Sequence, residues 1–203
     1  YYGGARENRI IDRSTYYEWQ VTWDMMRELQ PHAVMFSDAG PDIRWVGNES
    51  GMASETTWYT FNRAGRYPGF GYPGYEPFKD LGPGHEDGTD WVPPEVDVSI
   101  RPGWFYHADE DDKVKSADEL LRIYYQSVGR GANLLLNIPP DKRGLFHEND
   151  VASLMGFKRI LDGLFKTNLA SQATVSATNT RGNLEDFAAR NLIDGRADTY
   201  WAT

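Results

Sequence analysis

Cysteine is absent from this chain, which rules out a disulfide framework and a thiolate metal site alike. Basic residues are outnumbered, 21 Lys and Arg against 30 Asp and Glu, for a formal net charge of -9. A nucleic-acid partner is therefore not expected, because phosphate binding needs a basic face. No apolar run approaches the ~18 residues of a membrane helix, so membrane insertion is not expected either. Histidine is scarce, 4 in 203 residues, and no spacing of His, Asp and Glu resembles a metal site, so no metal ligand is assigned. An initiator methionine is missing too: the chain begins at Tyr1, and a piece of a longer protein is expected. Any signal peptide would then lie out of view.

Aromatics are plentiful, with 7 Trp and 12 Tyr. Their flat faces and polar edges suit sugar rings as well as cores and interfaces, and most of them are expected simply to pack. The densest polar chemistry lies in residues 37–51, SDAGPDIRWVGNESG. This stretch follows an apolar run, residues 32–36, that reads as a buried β-strand. Loops at strand ends commonly carry function, since a rigid scaffold aims their side chains. A carboxylate beside guanidinium, amide and indole groups suits a polyhydroxylated ligand; a polar connection with a helix cap is the plainer alternative.

Ser14 or Thr15 can cap a helix running to Leu29, with Trp19, Trp23, Met26 and Leu29 at helical spacing. Residues 50–94 lose regularity. Within them RAGRYPGFGYPGYEPF alternates glycine, proline and aromatics, which opposes both helix and central strand. A loop this long reads as a functional lid or else a disordered segment, with its aromatics favouring the lid, and His85 falls in the same flexible region. Strand character returns at residues 96–100, where Val96, Val98 and Ile100 alternate with Asp97 and Ser99. A helix is expected over 117–128, a strand over 133–138 ended by Pro139 and Pro140, and a last helix over 149–165. Helices alternating with short apolar strands are the grammar of α/β proteins.

Three segments, HAVMFSDAGPDIRWVGNESG, WVPPEVDVSIRPGWFYH and SVGRGANLLLNIPPDKRGLF, resemble consecutive parts of the α-L-fucosidases of glycoside hydrolase family 29. More narrowly they resemble the subgroup that removes α-1,3- and α-1,4-linked fucose. The resemblance implies an α/β fold in which residues 1–166 form the C-terminal half of a (β/α)8-type barrel. Residues 38–49, 101–107 and 137–143 would then surround one mouth, where such barrels keep their active sites. The tail, with NLASQATVSATNT and NLIDGRADTYWAT, resembles the opening of a discoidin-like (coagulation-factor type C) all-β sandwich. Residues 167–203 are accordingly expected to begin a carbohydrate-binding module. Related modules often carry a structural calcium ion, for which Asp194 is a weak candidate.

The implied activity is retaining, exo-acting hydrolysis of a fucosylated oligosaccharide without a catalytic cofactor, in a periplasmic or extracellular protein. In relatives the nucleophile is an aspartate in a WFDG-type motif; no such motif occurs here, so none is assigned. Glu49, in the GNE element, matches the general acid/base, with a loop or helix-start carboxylate as its alternative and Glu55 as its rival. Trp45 would supply an apolar wall beside it. Arg44 is expected either to donate to the sugar or to pair with Asp38 or Asp42, both of which are expected mainly to shape the loop. Asn48 either donates to a hydroxyl or holds its loop. Trp104 either faces the fucose methyl and ring or packs in the core, and His107 is expected to be structural. The competing reading of the whole is a non-catalytic glycan-binding protein on a degenerate barrel.

Overall fold

The computed structural model describes residues 18–37, 41–62 and 81–203. Ser14, Thr15, Asp38 and the lid expected at residues 66–78 lie outside the described residues. Helix α1 spans Trp19–Leu29 and buries Trp23. The strands are β1 (Phe36–Ser37), β2 (Ile43–Trp45), β3 (Thr60–Phe61), β4 (Asp90–Trp91), β5 (Pro94–Ser99) and β6 (Asn133–Asn137). Helix α2 (Ala117–Gln126) joins β5 to β6, and α3 (Glu148–Leu164) follows β6.

Four strands form one parallel sheet in the order β1-β2-β5-β6. The unit β5–α2–β6 is a parallel pair joined by a helix, the connection that parallel pairing requires. Helix α2 begins where Ser116 and Glu119 cap one another: Ser116 N–H donates to Glu119 Oε2 at 2.8 Å, and Ser116 Oγ accepts from Glu119 N–H at 3.3 Å. Leu120 and Ile123, three residues apart and so on one helix face, pack on Val98 and Ile100. Leu134, Leu136, Leu154 and Phe157 complete that cluster. Each such aliphatic side chain fully withdrawn from water contributes about 1.5–3 kcal/mol. Pro94 occupies the first position of β5, where its missing N–H breaks no ladder bond.

Three elements differ from the sequence reading. The strand expected over 32–36 is reduced to Phe36–Ser37, because Met35 N–H donates to Asp42 Oδ2 at 2.7 Å rather than to a neighbouring strand. Ile43–Trp45, expected as loop, is a strand between β1 and β5. Inside the irregular stretch, β3 and β4 pair antiparallel as a small separate ribbon. His85 sits against that ribbon: its Nδ1 accepts from Asn62 N–H at 2.9 Å, and its ring stacks on Phe61 at 4.4 Å. It is a seated structural residue and not a member of a flexible loop.

Two units divide the chain, Tyr1–Phe157 and Lys158–Thr203, with the boundary inside α3. Residues 167–203 fold as four short 3-10 turns and contain no strand. A strand needs a paired neighbour for its N–H and C=O groups, and this stretch supplies none. Its own closure comes from Arg181 N–H on Ala202 O at 2.9 Å and Trp201 Nε1–H on Asn179 O at 3.1 Å.

Candidate active site

Parallel register decides which side chains meet above the sheet. Trp45 lies beside Glu95, Asp97 beside Leu135, and Ser99 beside Asn137. Val96 and Val98 point the opposite way, into the buried clusters under the helices. One face is therefore aliphatic and helix-covered, and the other carries Trp45, Glu95, Asp97, Ser99 and Asn137.

At the C-terminal end of that face two loops converge. The loop after β2 carries Glu49, exposed, and the loop after β5 carries Trp104, half-buried. Trp104 Nε1–H donates to Glu49 Oε2 at 3.1 Å. Asn137, at the end of β6, holds the second loop by donating to Trp104 O at 3.0 Å. The first loop is held from below: Gly51 N–H donates to Asp97 O at 3.1 Å. Gly51 has φ +74, and a Cβ there would lie 2.9 Å from Ile123 Cγ2, so this approach tolerates only glycine.

Asn48 holds its own loop, with Nδ2 donating to Met52 O at 2.9 Å and Oδ1 accepting from Ser50 N–H at 3.1 Å. Trp45 packs half-buried on Phe61, Leu81 and Val92, and its Nε1–H donates to Asp97 Oδ1 at 2.7 Å.

The Arg44 side chain is fully buried, and its donors meet backbone carbonyls rather than Asp42. The Nε donates to Leu81 O at 2.7 Å, Nη2 to Trp58 O at 2.7 Å, and Nη1 to Val92 O. The guanidinium thus clamps the ribbon to the sheet instead of facing a ligand. Burial pushes it down to about 10, which leaves it cationic at neutral pH. Asp42 pairs with Arg27 and, through Met35, shapes the loop.

Behind the second loop lies an ion cluster. Arg101 and Asp150 are both fully buried, and Arg101 Nε and Nη2 meet the Asp150 carboxylate at 3.0–3.1 Å. Arg101 Nη1 pairs with Asp111 at 2.9 Å. Burial opposes the Arg101 charge, but the two carboxylates outweigh it and hold the group above its ordinary value. His107 contributes only its carbonyl to this cluster, at 3.4 Å from Nη1. Beside it opens a cleft of about 310 Å³, lined by Tyr106, Asp141, Arg143, His147 and Glu148.

The residue that the sequence reading passed over is Asp97. Burial pushes its carboxyl up, the Trp45 indole pulls it down, and the negative charge of Glu49 pushes it up further. Glu95 is pushed up as well, by burial and by Asp97. The signal was present in the alternation of β5: a strand in a parallel sheet ordinarily reads as a continuous apolar run. Glu95, Asp97 and Ser99 break that rule on one face.

Comparison with known proteins places this geometry in context. A family model described as alpha-L-fucosidase matches residues 10–162. The chain belongs to the α-L-fucosidase family. It is 43% identical over 201 residues to alpha-L-fucosidase 1 of Arabidopsis thaliana, covering 98% of this chain and 38% of that protein. Among solved structures it is similar to SpGH29, with a TM-score of 0.80 and 39% identity over 97% of this chain and 41% of that one. A Ruminococcus gnavus GH29 fucosidase solved in complex with fucose gives a TM-score of 0.76 at 27% identity, covering 99% and 40% of the two chains. This fucosidase-family chain thus spans well under half the length of the relatives it matches.

In the tail the Asp194 carboxylate is engaged within its own turn. Asp194 Oδ1 accepts from Arg196 N–H at 2.9 Å and Oδ2 from Thr199 Oγ1 at 2.7 Å. Asp198 is taken by Arg196 at 2.8 Å. Among the described residues no group of three or more His, Cys, Asp or Glu could hold a metal ion. Among the described residues no helix is long and apolar enough to cross a membrane.

Proposed function

We infer that this chain is the acid/base-bearing part of a retaining, exo-acting α-L-fucosidase that removes α-1,3- or α-1,4-linked fucose from branched oligosaccharides. The observation that carries the reading is the contact of Trp104 Nε1–H with Glu49 Oε2, at the C-terminal end of a parallel sheet. Glu49 protonates the departing glycosidic oxygen and later takes a proton from the attacking water, as retaining hydrolysis requires. Trp104 orients that carboxyl and presents an apolar ring beside it. The nucleophilic carboxylate is not assigned within these residues. The sheet is read as the C-terminal half of a (β/α)8 barrel, with the polar face of β5 turned inward. The tail is read as the beginning of a discoidin-like module, and the protein as periplasmic or extracellular.

The test is Glu49→Gln in the full-length protein. Loss of an acid/base group lowers turnover on the order of 10²- to 10⁴-fold for natural trisaccharides. Aryl fucosides with good leaving groups lose less, and azide restores their turnover. Equal losses on both substrates without azide rescue overturn the assignment.

A further inference from the structure

We propose that Asp97 is a positioning residue of the Glu49 site, fixing the Trp45 indole and the Glu49 loop together and setting a second negative charge beside the acid/base. The inference rests on the reading of Glu49 as acid/base. Two contacts and one placement converge on this residue. Its Oδ1 accepts the Trp45 indole N–H at 2.7 Å. Its backbone carbonyl accepts Gly51 N–H at 3.1 Å, two residues beyond Glu49. Its side chain stands on the same sheet face as Trp45, Glu95 and Asn137, opposite the buried Val96 and Val98.

Among the described residues the charges facing this point are of one sign. Glu49 comes from the loop after β2, and Glu95 and Asp97 come from β5. From β6 the facing residues are Asn133, Leu135 and Asn137, none charged. Arg44 is turned to carbonyls, Arg101 to Asp150 and Asp111, and the Lys115 ammonium to the carbonyls of Ser99 and Arg101 at 2.7 and 3.3 Å. Burial pushes Asp97 up and the Glu49 charge pushes it further. An ionised Asp97 thus sets a negative charge on the sheet face below the Glu49 loop, where like charges repel.

The experiment compares Asp97→Asn and Asp97→Ala with Glu49→Gln in the full-length protein. Aryl fucosides with poor and good leaving groups are assayed across pH. Asp97→Asn keeps an acceptor for the indole but removes the charge. The alkaline limb of its kcat/KM profile should move to lower pH by at least about 0.5 unit, with KM near the parent value. Asp97→Ala also frees the Trp45 indole, while its backbone carbonyl still accepts Gly51 N–H, so KM should rise several-fold with the same limb shift. An unmoved limb in both variants, with losses equal for the two leaving groups, overturns the inference and leaves Asp97 a structural residue. If instead Glu49→Gln retains the alkaline limb and turnover of poor leaving groups, the reading of Glu49 itself fails, and the two failures are told apart.

Discussion

The guanidinium of Arg44 faces backbone carbonyl oxygens and the ring of Phe61, whose centroid lies 5.5 Å from Cζ. A cation is tolerated there because its five N–H donors fork in fixed directions, which a lysine cannot imitate. Gly84, with φ +70, lets the ribbon approach: a Cβ there would lie 2.7 Å from Arg44 Nη2. Replacing Arg44 with Met strands the carbonyls of Trp58, Leu81 and Val92. Each buried acceptor left unsatisfied costs about 1–3 kcal/mol, so a loss of roughly 3 kcal/mol or more in urea unfolding is expected. Arg44→Lys should lose a smaller part of this. Variants that remain folded should keep the parent KM. A raised KM with unchanged stability would return Arg44 to the sugar. From sequence alone this arginine was either a sugar donor or a partner of Asp38 or Asp42; only the carbonyls of residues distant in the chain reveal the clamp.

At the scale of elements, legibility followed length and local punctuation. Helix α2 was legible from its apolar residues Leu120, Leu121, Ile123 and Tyr124, and β5 from strict alternation, whereas the Ser116–Glu119 cap became visible only in the structure. Strand β2 was hidden because it has three residues, one of them the buried Arg44. The β3–β4 ribbon was hidden because each strand has two residues inside a Gly/Pro-rich stretch. Glu49 and Trp104 were reached through resemblance, and no local pattern foretold that residues 55 apart would share a hydrogen bond. The loop bearing Trp104 depends in turn on α3. Asp150, in the first turn of that helix, holds Arg101 from the end of β5, and both are sealed from water. Asp150→Ala leaves Arg101 with Asp111 as its remaining carboxylate partner. Removing one member of a buried pair costs about 3–5 kcal/mol, so Asp150→Ala should unfold at clearly lower denaturant. Its surviving activity should fall through loss of Trp104 placement. Stability within ~1 kcal/mol of the parent would show that Asp111 alone balances the charge.

For the whole molecule the decisive feature is a sheet that is open among the described residues. Among the described residues it ends at β1 on one side and β6 on the other, and its polar face also carries Leu135, 48% exposed, and Phe36, 42% exposed. Exposed strand edges and uncovered apolar side chains invite association with other chains. The sequence carries Glu49 but no WFDG-type motif, and a retaining mechanism needs a second carboxyl about 5 to 5.5 Å from the first. The 203-residue polypeptide produced alone is therefore expected to self-associate and to leave a fluorogenic α-fucoside uncleaved. The full-length protein, assayed beside it, should turn the same substrate over. Size-exclusion chromatography reads the first expectation and fluorescence the second. Activity of the isolated polypeptide comparable to the full-length protein would mean that one of its own carboxylates is the nucleophile. Asp97 would be the first to replace, since it is the described carboxylate whose titration already registers the charge of Glu49.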